Sequence, residues 1–343
     1  MACKRAALSL QSAHSPIYEE PSKAAEILSE AIKKMLHKTN IQNEKHIGVL
    51  ADIHSNFEAL KSTVDYLEKR GIEEFIFLGD YTGELPCPEK TLEFIHNLCA
   101  KKKVYLIKGN KEEYIEDGLG DGHPEWDEYK SIIGMFRYVY PRISKEEKEY
   151  WKNFPHTDIL KFDGFPPLRL CHGWVDSTKN KIVPGDKKNA ELFPAVKEDF
   201  ILVAHSHQQF DTTEYGKRVM NPGSVGVVND GSRKAQCMIL HGTKDEWTPE
   251  FLQLSYDIEK EIASMKEENL FEIAPQWARL TLKMLEGYPV FHTHALKKAM
   301  EICQKETGEC EWPKISEEYM EKGVTEYLEG LKKSTITITK KVF

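Results

Sequence analysis

Short apolar runs alternate with amphipathic stretches between residues 46 and 110. The runs at residues 47–51, 75–78 and 104–107 have four or five residues each, and the stretches between them repeat apolar residues at helical spacing. A short apolar run bounded by polar residues is typical of a buried strand. Because such runs suit parallel sheets that are covered on both faces, this order predicts a βαβαβ unit.

Further strands are predicted after a segment rich in aromatic and charged residues. That segment, at residues 111–157, favours helices around a glycine-rich loop at 118–122. Strands alternating with helices predict an α/β (α+β) fold. The later candidate strands lie at residues 168–171, 200–203, 218–220, 235–240 and 251–254, with turn sequences at 221–223 and 229–231.

The two ends of the chain have patterns of their own. Apolar residues at helical spacing over residues 22–37 predict an N-terminal helix that packs on the main domain. Residues 257 to about 333 are again helical, whereas residues 335–339 alternate threonine with isoleucine and predict an edge strand. The apolar residues of this last region need a partner surface, on the main domain or on a second subunit, so a homo-oligomer is one expectation. The predicted division is an N-terminal extension at 1–45, a main domain at 46–256 and a helical C-terminal extension at 257–343.

Composition narrows the classes of function. The net charge is −8 at pH 7, which argues against a general nucleic-acid binder because such proteins carry a basic face. No apolar run approaches the roughly 18–20 residues that cross a bilayer, and the N-terminus lacks the apolar core of a signal peptide. The seven cysteines have no regular spacing. We therefore expect no membrane partner and a cytoplasmic protein with reduced thiols.

Residues that can bind metal ions follow each predicted strand. In an open α/β sheet, ligands collect at the carboxyl ends of the strands. Carboxylate, imidazole and amide groups together suit Mn, Fe, Zn or Ni, and two such ions need about seven ligands with one shared carboxylate. Each residue alone could be a helix cap or a core histidine, but together they favour a metal centre. The candidates are Asp52, His54, Asp80, Asn110, His172, His205 and His207.

A second histidine pair, His292 and His294, imitates this spacing. It lies in a helical pattern, in which residues two apart point to different faces. We therefore expect no metal ion there.

The order of these motifs resembles the calcineurin-like metallophosphoesterase superfamily, and in particular its small bacterial and archaeal phosphodiesterase branch. The resemblance covers roughly residues 46–256 and implies a sandwich of two sheets flanked by helices. Its motifs are Asp52-Ile53-His54, Gly79-Asp80, Gly109-Asn110, His172-Gly173, Ala204-His205-Ser206-His207 and Asn221-Pro222-Gly223-Ser224.

The resemblance implies an enzyme that hydrolyses phosphate esters, with phosphodiesters favoured. Two divalent transition metal ions, Mn being favoured, would activate a bridging water or hydroxide as the nucleophile. The alternatives are a phosphoprotein or nucleotide phosphatase of the same fold, or a scaffold that has lost catalysis. Intact ligands favour the enzyme. The implied ligand sets are Asp52, His54, Asp80 and His207 for one ion and Asp80, Asn110, His172 and His205 for the other, with catalytic roles for Asp80, Asn110, Lys111 and His205.

Two positions depart from the family pattern. Lys111 stands where many members have a proton-donating histidine, and Ala204 stands where glycine is usual. Two nearby cations are expected to lower the pKa of Lys111 and so allow it to donate a proton, or the lysine binds phosphate as a point charge. Substrate specificity is expected to depend on residues 111–157, on 174–188 and on the C-terminal helices.

Overall fold

Two five-stranded sheets form the centre of the molecule, a computed structural model that describes residues 44–341. The helix predicted over residues 22–37 lies outside the described part. The strands are β1 (Lys45–Leu50), β2 (Glu74–Phe77), β3 (Lys103–Leu106), β4 (Thr157–Leu160), β5 (Leu168–Cys171), β6 (Phe200–Leu202), β7 (Gln209–Glu214), β8 (Lys217–Pro222), β9 (Ala235–Gly242) and β10 (Trp247–Leu254).

Each sheet combines three parallel strands with two further strands that pair in an antiparallel way. The first has the order β10-β9-β1-β2-β3, in which β1, β2 and β3 are parallel. The second has the order β4-β5-β6-β8-β7, in which β5, β6 and β8 are parallel. The predicted sandwich of two sheets is confirmed.

Alternation along the strands places side chains in two separate cores. In β1, Ile47 and Val49 pack between the two sheets, whereas Leu50 packs on the opposite face against helices. In β2, Ile76 faces the second sheet and Phe75 faces the helices. When both faces of a strand are buried, its sequence is a continuous run of apolar residues, and this is the pattern of β1 and β2.

Helices cover the outer face of the first sheet. Among the described residues there are eleven α-helices, and their bounds follow. They are α1 (Phe57–Lys69), α2 (Pro88–Cys99), α3 (Asn110–Glu116), α4 (Lys130–Val139), α5 (Lys145–Lys152), α6 (Asn189–Leu192), α7 (Ile258–Glu267), α8 (Leu270–Ile273), α9 (Pro275–Leu285), α10 (His292–Thr307) and α11 (Glu317–Lys341). Within residues 44–341, no helix is both long enough and apolar enough to cross a membrane.

The C-terminal helices share the core of the first sheet. Leu270, Leu280 and Leu285 are buried in the same cluster as Leu60 and Leu67 of α1. Polar contacts add to this packing, since Nζ of Lys260 in α7 lies 2.6 Å from Oε1 of Glu58 in α1. The expected partner surface of this region is therefore the sandwich itself.

The edge strand predicted at residues 335–339 is wrong, because these residues continue α11. The helix carries the buried residues Met320, Val324 and Leu328 at a spacing of four. A helix extends by adding one internal hydrogen bond per residue, whereas a strand needs a neighbouring strand to pair with. The threonine and isoleucine alternation is too weak a preference to end such a helix.

Two strands were not predicted, and both are edges of the second sheet. β4 and β7 each pair on one side only. The sequence of β7, from Gln209 to Glu214, is largely polar, and no residue of it is fully buried. An edge strand that faces solvent does not need the apolar run by which inner strands are recognised.

Glu261 of α7 should make stability depend on pH. It is 2% exposed, and burial raises its pKa to about 8 from an ordinary 4.5. The folded protein therefore keeps a proton that the unfolded chain releases above pH 4.5. Its contribution to the free energy of unfolding is present below pH 4.5 and is lost as the pH rises toward 8. We expect Glu261→Gln to gain about 1 kcal/mol or more over the wild type between pH 5 and pH 8 in denaturant unfolding.

Glu259→Gln is the matched control, because the Glu259 side chain lies in the same helix and is 82% exposed. It should follow the wild type at both pH values. Parallel curves for wild type and Glu261→Gln would show that the pKa of Glu261 is not raised on folding.

Candidate metal centre

Seven polar residues from five strand ends meet at one edge of the sandwich. His172 Nε2 lies 3.1 Å from Asn110 Oδ1 and 3.5 Å from Asp80 Oδ2. His207 Nε2 lies 3.3 Å from Asp52 Oδ1. All the ligand candidates chosen from the sequence are brought together here. Six of them form two groups of possible metal ligands, Asp52 with His54 and His207, and Asp80 with His172 and His205, and Asn110 lies against His172 of the second group.

Asp80 joins the two groups. Its Oδ2 atom lies 3.7 Å from His54 Nε2 in one group and 3.5 Å from His172 Nε2 in the other. One carboxylate between two sets of imidazoles is the arrangement that a pair of divalent ions requires.

The imidazole rings are oriented by acceptors on their outer nitrogens. Nδ1 of His172 donates to the carbonyl oxygen of Leu78 over 2.6 Å, and Nδ1 of His207 donates to that of Val227 over 2.7 Å. A carbonyl oxygen only accepts, so each Nδ1 carries the proton and each Nε2 lone pair faces the centre. This outer-nitrogen hydrogen bond is the usual support of metal-binding histidines.

The donor set fits metal ions by its charge as well. Asp52 Oδ1 is buried and has no hydrogen-bond donor among residues 44–341. Burial raises the pKa of Asp52, but the neighbouring His207 and His172 outweigh it and hold the pKa below its usual range. Nε2 of His54 lies only 3.3 Å from Nε2 of His207. A cation between these atoms would interact favourably with the ionised oxygen of Asp52 and with the lone pairs of both Nε2 atoms.

Five of the seven ligand candidates lie on backbone in the left-handed region. Asparagine, aspartate and histidine tolerate this conformation better than most residues, and strained backbone of this kind gathers at functional sites. It turns the chain sharply after β1, β2 and β6 and directs these side chains into the centre. The φ values are 53° at Asp52, 51° at His54, 57° at Asp80, 60° at His205 and 57° at His207.

Close approach of two strand ends explains the glycines of the motifs. A Cβ atom on Gly79 would lie 2.4 Å from the backbone nitrogen of Gly109. A Cβ atom on Gly109 would lie 2.2 Å from Asp80 Oδ1. Only glycine lets β2 and β3 bring Asp80 and Asn110 this close together.

Glu112 holds these two strand ends, a role that sequence reasoning missed. It is buried, and its carboxylate accepts hydrogen bonds from the backbone nitrogens of Asp80, Tyr81 and Gly109 over 2.8 to 2.9 Å. Burial, with repulsion from Asp80, raises the pKa of Glu112 to about 7. An acidic residue two positions after Asn110 is the only sequence signal of this role.

The Asn221-Pro222-Gly223-Ser224 turn connects the motifs of the two sheets. Asn221 donates to the carbonyl oxygen of Ala204 over 2.9 Å and to Ser206 Oγ over 3.0 Å. Ser224 Oγ donates to the carbonyl oxygen of Asp52 over 2.9 Å. Ala204, which departs from the family pattern, is buried between the sheets, so its methyl group adds to the core.

Lys111 is paired with a carboxylate that sequence reasoning did not identify. Its Nζ atom lies 2.5 Å from Glu84 Oε1, and Glu84 Oε2 lies 2.5 Å from His54 Nδ1. Burial lowers the pKa of Lys111, but the negative charges of Glu84 and Asp80 outweigh it and raise the pKa above its usual value. This shift belongs to the metal-free site and depends on Glu84, whereas the lowering expected from the sequence depends on two bound cations.

The second histidine pair joins neither metal group. His292 begins α10, is buried, and its Nε2 lies 2.9 Å from Thr281 Oγ1. Burial lowers its pKa to about 3, so it is neutral at physiological pH.

Comparison with known proteins identifies the family. A model of the calcineurin-like phosphoesterase superfamily domain matches residues 46–246, more than half of the chain. The chain belongs to the calcineurin-like phosphoesterase superfamily. The resemblance seen in its motifs is thereby confirmed, and residues beyond 246 lie outside the matched phosphoesterase domain.

The relatives extend the comparison to sequence and fold. An uncharacterized protein of Methanocaldococcus jannaschii is 28% identical over 256 residues, which cover 67% of this chain and 94% of that protein. A hypothetical protein of Pyrococcus horikoshii has a TM-score of 0.59 at 23% identity, over 68% of this chain and 97% of its own. A metallophosphoesterase of Sphaerobacter thermophilus has a TM-score of 0.51 at 20% identity, over 67% and 98%. These two structures share the fold of the phosphoesterase domain.

Replacing Glu112 should disturb both stability and metal binding. Glu112→Ala leaves three buried N–H groups without an acceptor, and each such group costs about 1–3 kcal/mol. We expect the free energy of unfolding to fall by about 3 kcal/mol or more, and bound metal, measured by elemental analysis, to fall with it. Glu116→Ala is the control in the same helix, because the Glu116 carboxylate pairs with the side chain of Lys108 and not with the strand ends. Normal stability and metal content in Glu112→Ala would contradict the role assigned to this carboxylate.

Proposed function

We propose that the chain is a phosphoesterase with a dinuclear metal centre that hydrolyses phosphate esters, phosphodiesters being favoured. Residues 46–256 form its catalytic domain and residues 257–343 an extension of it. The observation that carries the proposal is the position of Asp80 Oδ2, which lies 3.7 Å from His54 Nε2 and 3.5 Å from His172 Nε2. The six cysteines in the described range are free, which supports a reducing compartment such as the cytosol.

Each ligand has a place in the proposal. Asp80 is shared, and Mn is the favoured ion for this mixture of carboxylate, imidazole and amide. Two such ions, when bound, activate a water molecule for attack on phosphorus and neutralise charge on the phosphoryl oxygens. One ion would be held by Asp52, His54, Asp80 and His207, and the other by Asp80, Asn110, His172 and His205.

The chain's own residues orient the substrate and the ligands. Glu84 lies between Lys111 and His54, so it fixes the position of the lysine cation and of one ligand ring at the same time. An ammonium held 2.5 Å from a carboxylate is stabilised in its charged form, so it gives up its proton less readily. We therefore propose that Lys111 binds a phosphoryl oxygen as a fixed cation.

A scaffold without catalysis is the less favoured function. Keeping an ionised Asp52 buried with an oxygen that lacks a donor costs stability. A scaffold gains nothing from this buried charged oxygen, whereas a metal-dependent enzyme requires it as a ligand.

Metal content and activity test the proposal together. The purified protein, loaded in turn with Mn, Fe, Zn and Ni, is assayed on phosphodiesters, phosphomonoesters, nucleotides and phosphopeptides. We expect two ions per chain and hydrolysis of bis(p-nitrophenyl) phosphate. Because Asp80 contacts both groups, Asp80→Asn should lose more metal than His54→Gln. Both ions remaining in Asp80→Asn would refute the shared ligand, and two bound ions without hydrolysis of any ester would favour the scaffold.

Lys111→Ala separates the two roles of the lysine. If Lys111 binds phosphate as a cation, the variant should weaken turnover of alkyl and nitrophenyl esters together, mainly through KM. If it donates a proton, alkyl esters should slow by about 100-fold or more while nitrophenyl esters hardly change. We expect the parallel loss. Glu84→Gln should shift KM in the same direction, because it releases the cation from its position.

A further inference from the structure

A cavity of about 370 Å³ opens directly from the metal centre. His54, Asp80 and His207 lie at one end of it, together with Lys111. Its size is near the lower limit of pockets that enclose small ligands, which are about 300–1,000 Å³. A folded phosphoprotein or a duplex nucleic acid does not fit into such a space.

The far wall of the cavity is aromatic and comes largely from the C-terminal extension. Trp277, Phe291 and Trp312 line it, and all three lie beyond the matched phosphoesterase domain. Phe136 and Tyr114 complete the wall. The ring centres of Tyr114 and Trp312 are 5.6 Å apart, and those of Tyr114 and Phe136 are 5.7 Å apart. Flat ring faces of this kind bind other flat rings by stacking.

Two buried polar atoms in the same lining lack partners. Trp277 Nε1 has no hydrogen-bond acceptor and Asn229 Oδ1 has no donor among the residues that the structure describes. Both atoms are closed to solvent, so a ligand in the cavity reaches them only if these side chains rotate, and a ligand that then pairs them gains affinity. One donor and one acceptor among apolar side chains match a ring that carries both kinds of group.

Two lysines lie at the rim of the cavity. Lys179 and Lys181 line it and are exposed, and neither has a carboxylate within 4 Å in the described part of the chain. Lys179 Nζ lies 4.8 Å from the ring centre of Tyr114. These cations favour an anionic ligand whose charged end is at the metal centre and whose ring is at the aromatic wall.

We propose that the substrate is a small phosphate ester whose organic group is a flat, hydrogen-bonding heteroaromatic ring of nucleobase size. This inference rests on the proposed function only for the phosphoryl group of the substrate. The aromatic wall, the orphaned donor and acceptor and the limited volume select the ring. The C-terminal extension thus determines which ester reaches the metal centre.

Binding of two matched ligands tests the proposal without relying on turnover. The probes are the methylene phosphonate analogues of adenosine 5′-monophosphate and of glycerol 3-phosphate, which have the same charge and no ester bond to hydrolyse. Their affinities for the full chain are measured by calorimetry in the presence of Mn²⁺. We expect the adenosine analogue to bind at least about tenfold more tightly, because stacking of one base is worth that much or more.

Variants of the wall locate the effect. Trp312→Ala should weaken the adenosine analogue about tenfold and leave the glycerol analogue within about twofold. Trp277→Phe keeps a ring but removes the unpaired N–H, so it should also weaken only the adenosine analogue, which guards against a general folding defect. Phe251→Ala is the matched control, because Phe251 and Trp312 are both 37% exposed and Phe251 lies on β10 away from the cavity.

Equal affinities for the two analogues, or equal losses of both in Trp312→Ala, would overturn the proposal, as would failure of the adenosine analogue to bind. The proposed function fails separately. If the protein binds the adenosine analogue selectively but hydrolyses no phosphate ester, the ring-binding pocket is supported and the proposed phosphoesterase activity is refuted.

Discussion

The contact between the ends of β2 and β3 is the constraint on which the rest of the centre depends. Gly79 and Gly109 approach so closely that neither has room for a side chain. Glu112 accepts the three backbone N–H groups that this approach would otherwise leave unpaired. The result brings Asp80, whose Oδ2 atom lies within 3.7 Å of a histidine in each group, next to Asn110. The ends of β2 and β3 therefore determine the packing, the backbone hydrogen bonds and the positions of these metal-ligand candidates at the same time.

Electrostatics ties this centre to its surroundings. Buried carboxylates and imidazoles are costly apart, but several of those here have a partner that favours their required state. Carbonyl oxygens fix the protonated nitrogens of His172 and His207, and Glu84 serves both His54 and Lys111. Because Glu84 is shared, the position of the lysine cation and the orientation of a ligand ring are not independent. A substitution that moves the Lys111 cation is therefore expected to alter the orientation of the His54 ring, and the reverse.

The sequence predicted the parts of the structure that recur in a simple pattern. Inner strands are short apolar runs, and ligands directly follow them, so both could be recognised in order. The edge strands β4 and β7 could not, because a solvent-facing edge has no apolar run. Glu84 and Glu112 could not be assigned either, since their roles depend on backbone atoms and side chains that meet only in three dimensions. The alternating tail was misread because the helix before it extends by local hydrogen bonds alone.

The C-terminal extension shows why a metal centre and a substrate site are predicted so unequally. Metal ligands are a few donor groups at strand ends, and their positions in the sequence relative to the predicted strands make them recognisable. The cavity wall is assembled from Phe136 of α4, Trp277 of α9 and Trp312, which are far apart in the chain and are brought together only by packing on the outer face of the first sheet. A tryptophan in an amphipathic helix looks the same in sequence whether it fills a core or lines a pocket. What distinguishes Trp277 is its buried N–H without an acceptor, and that is visible only once the fold is known.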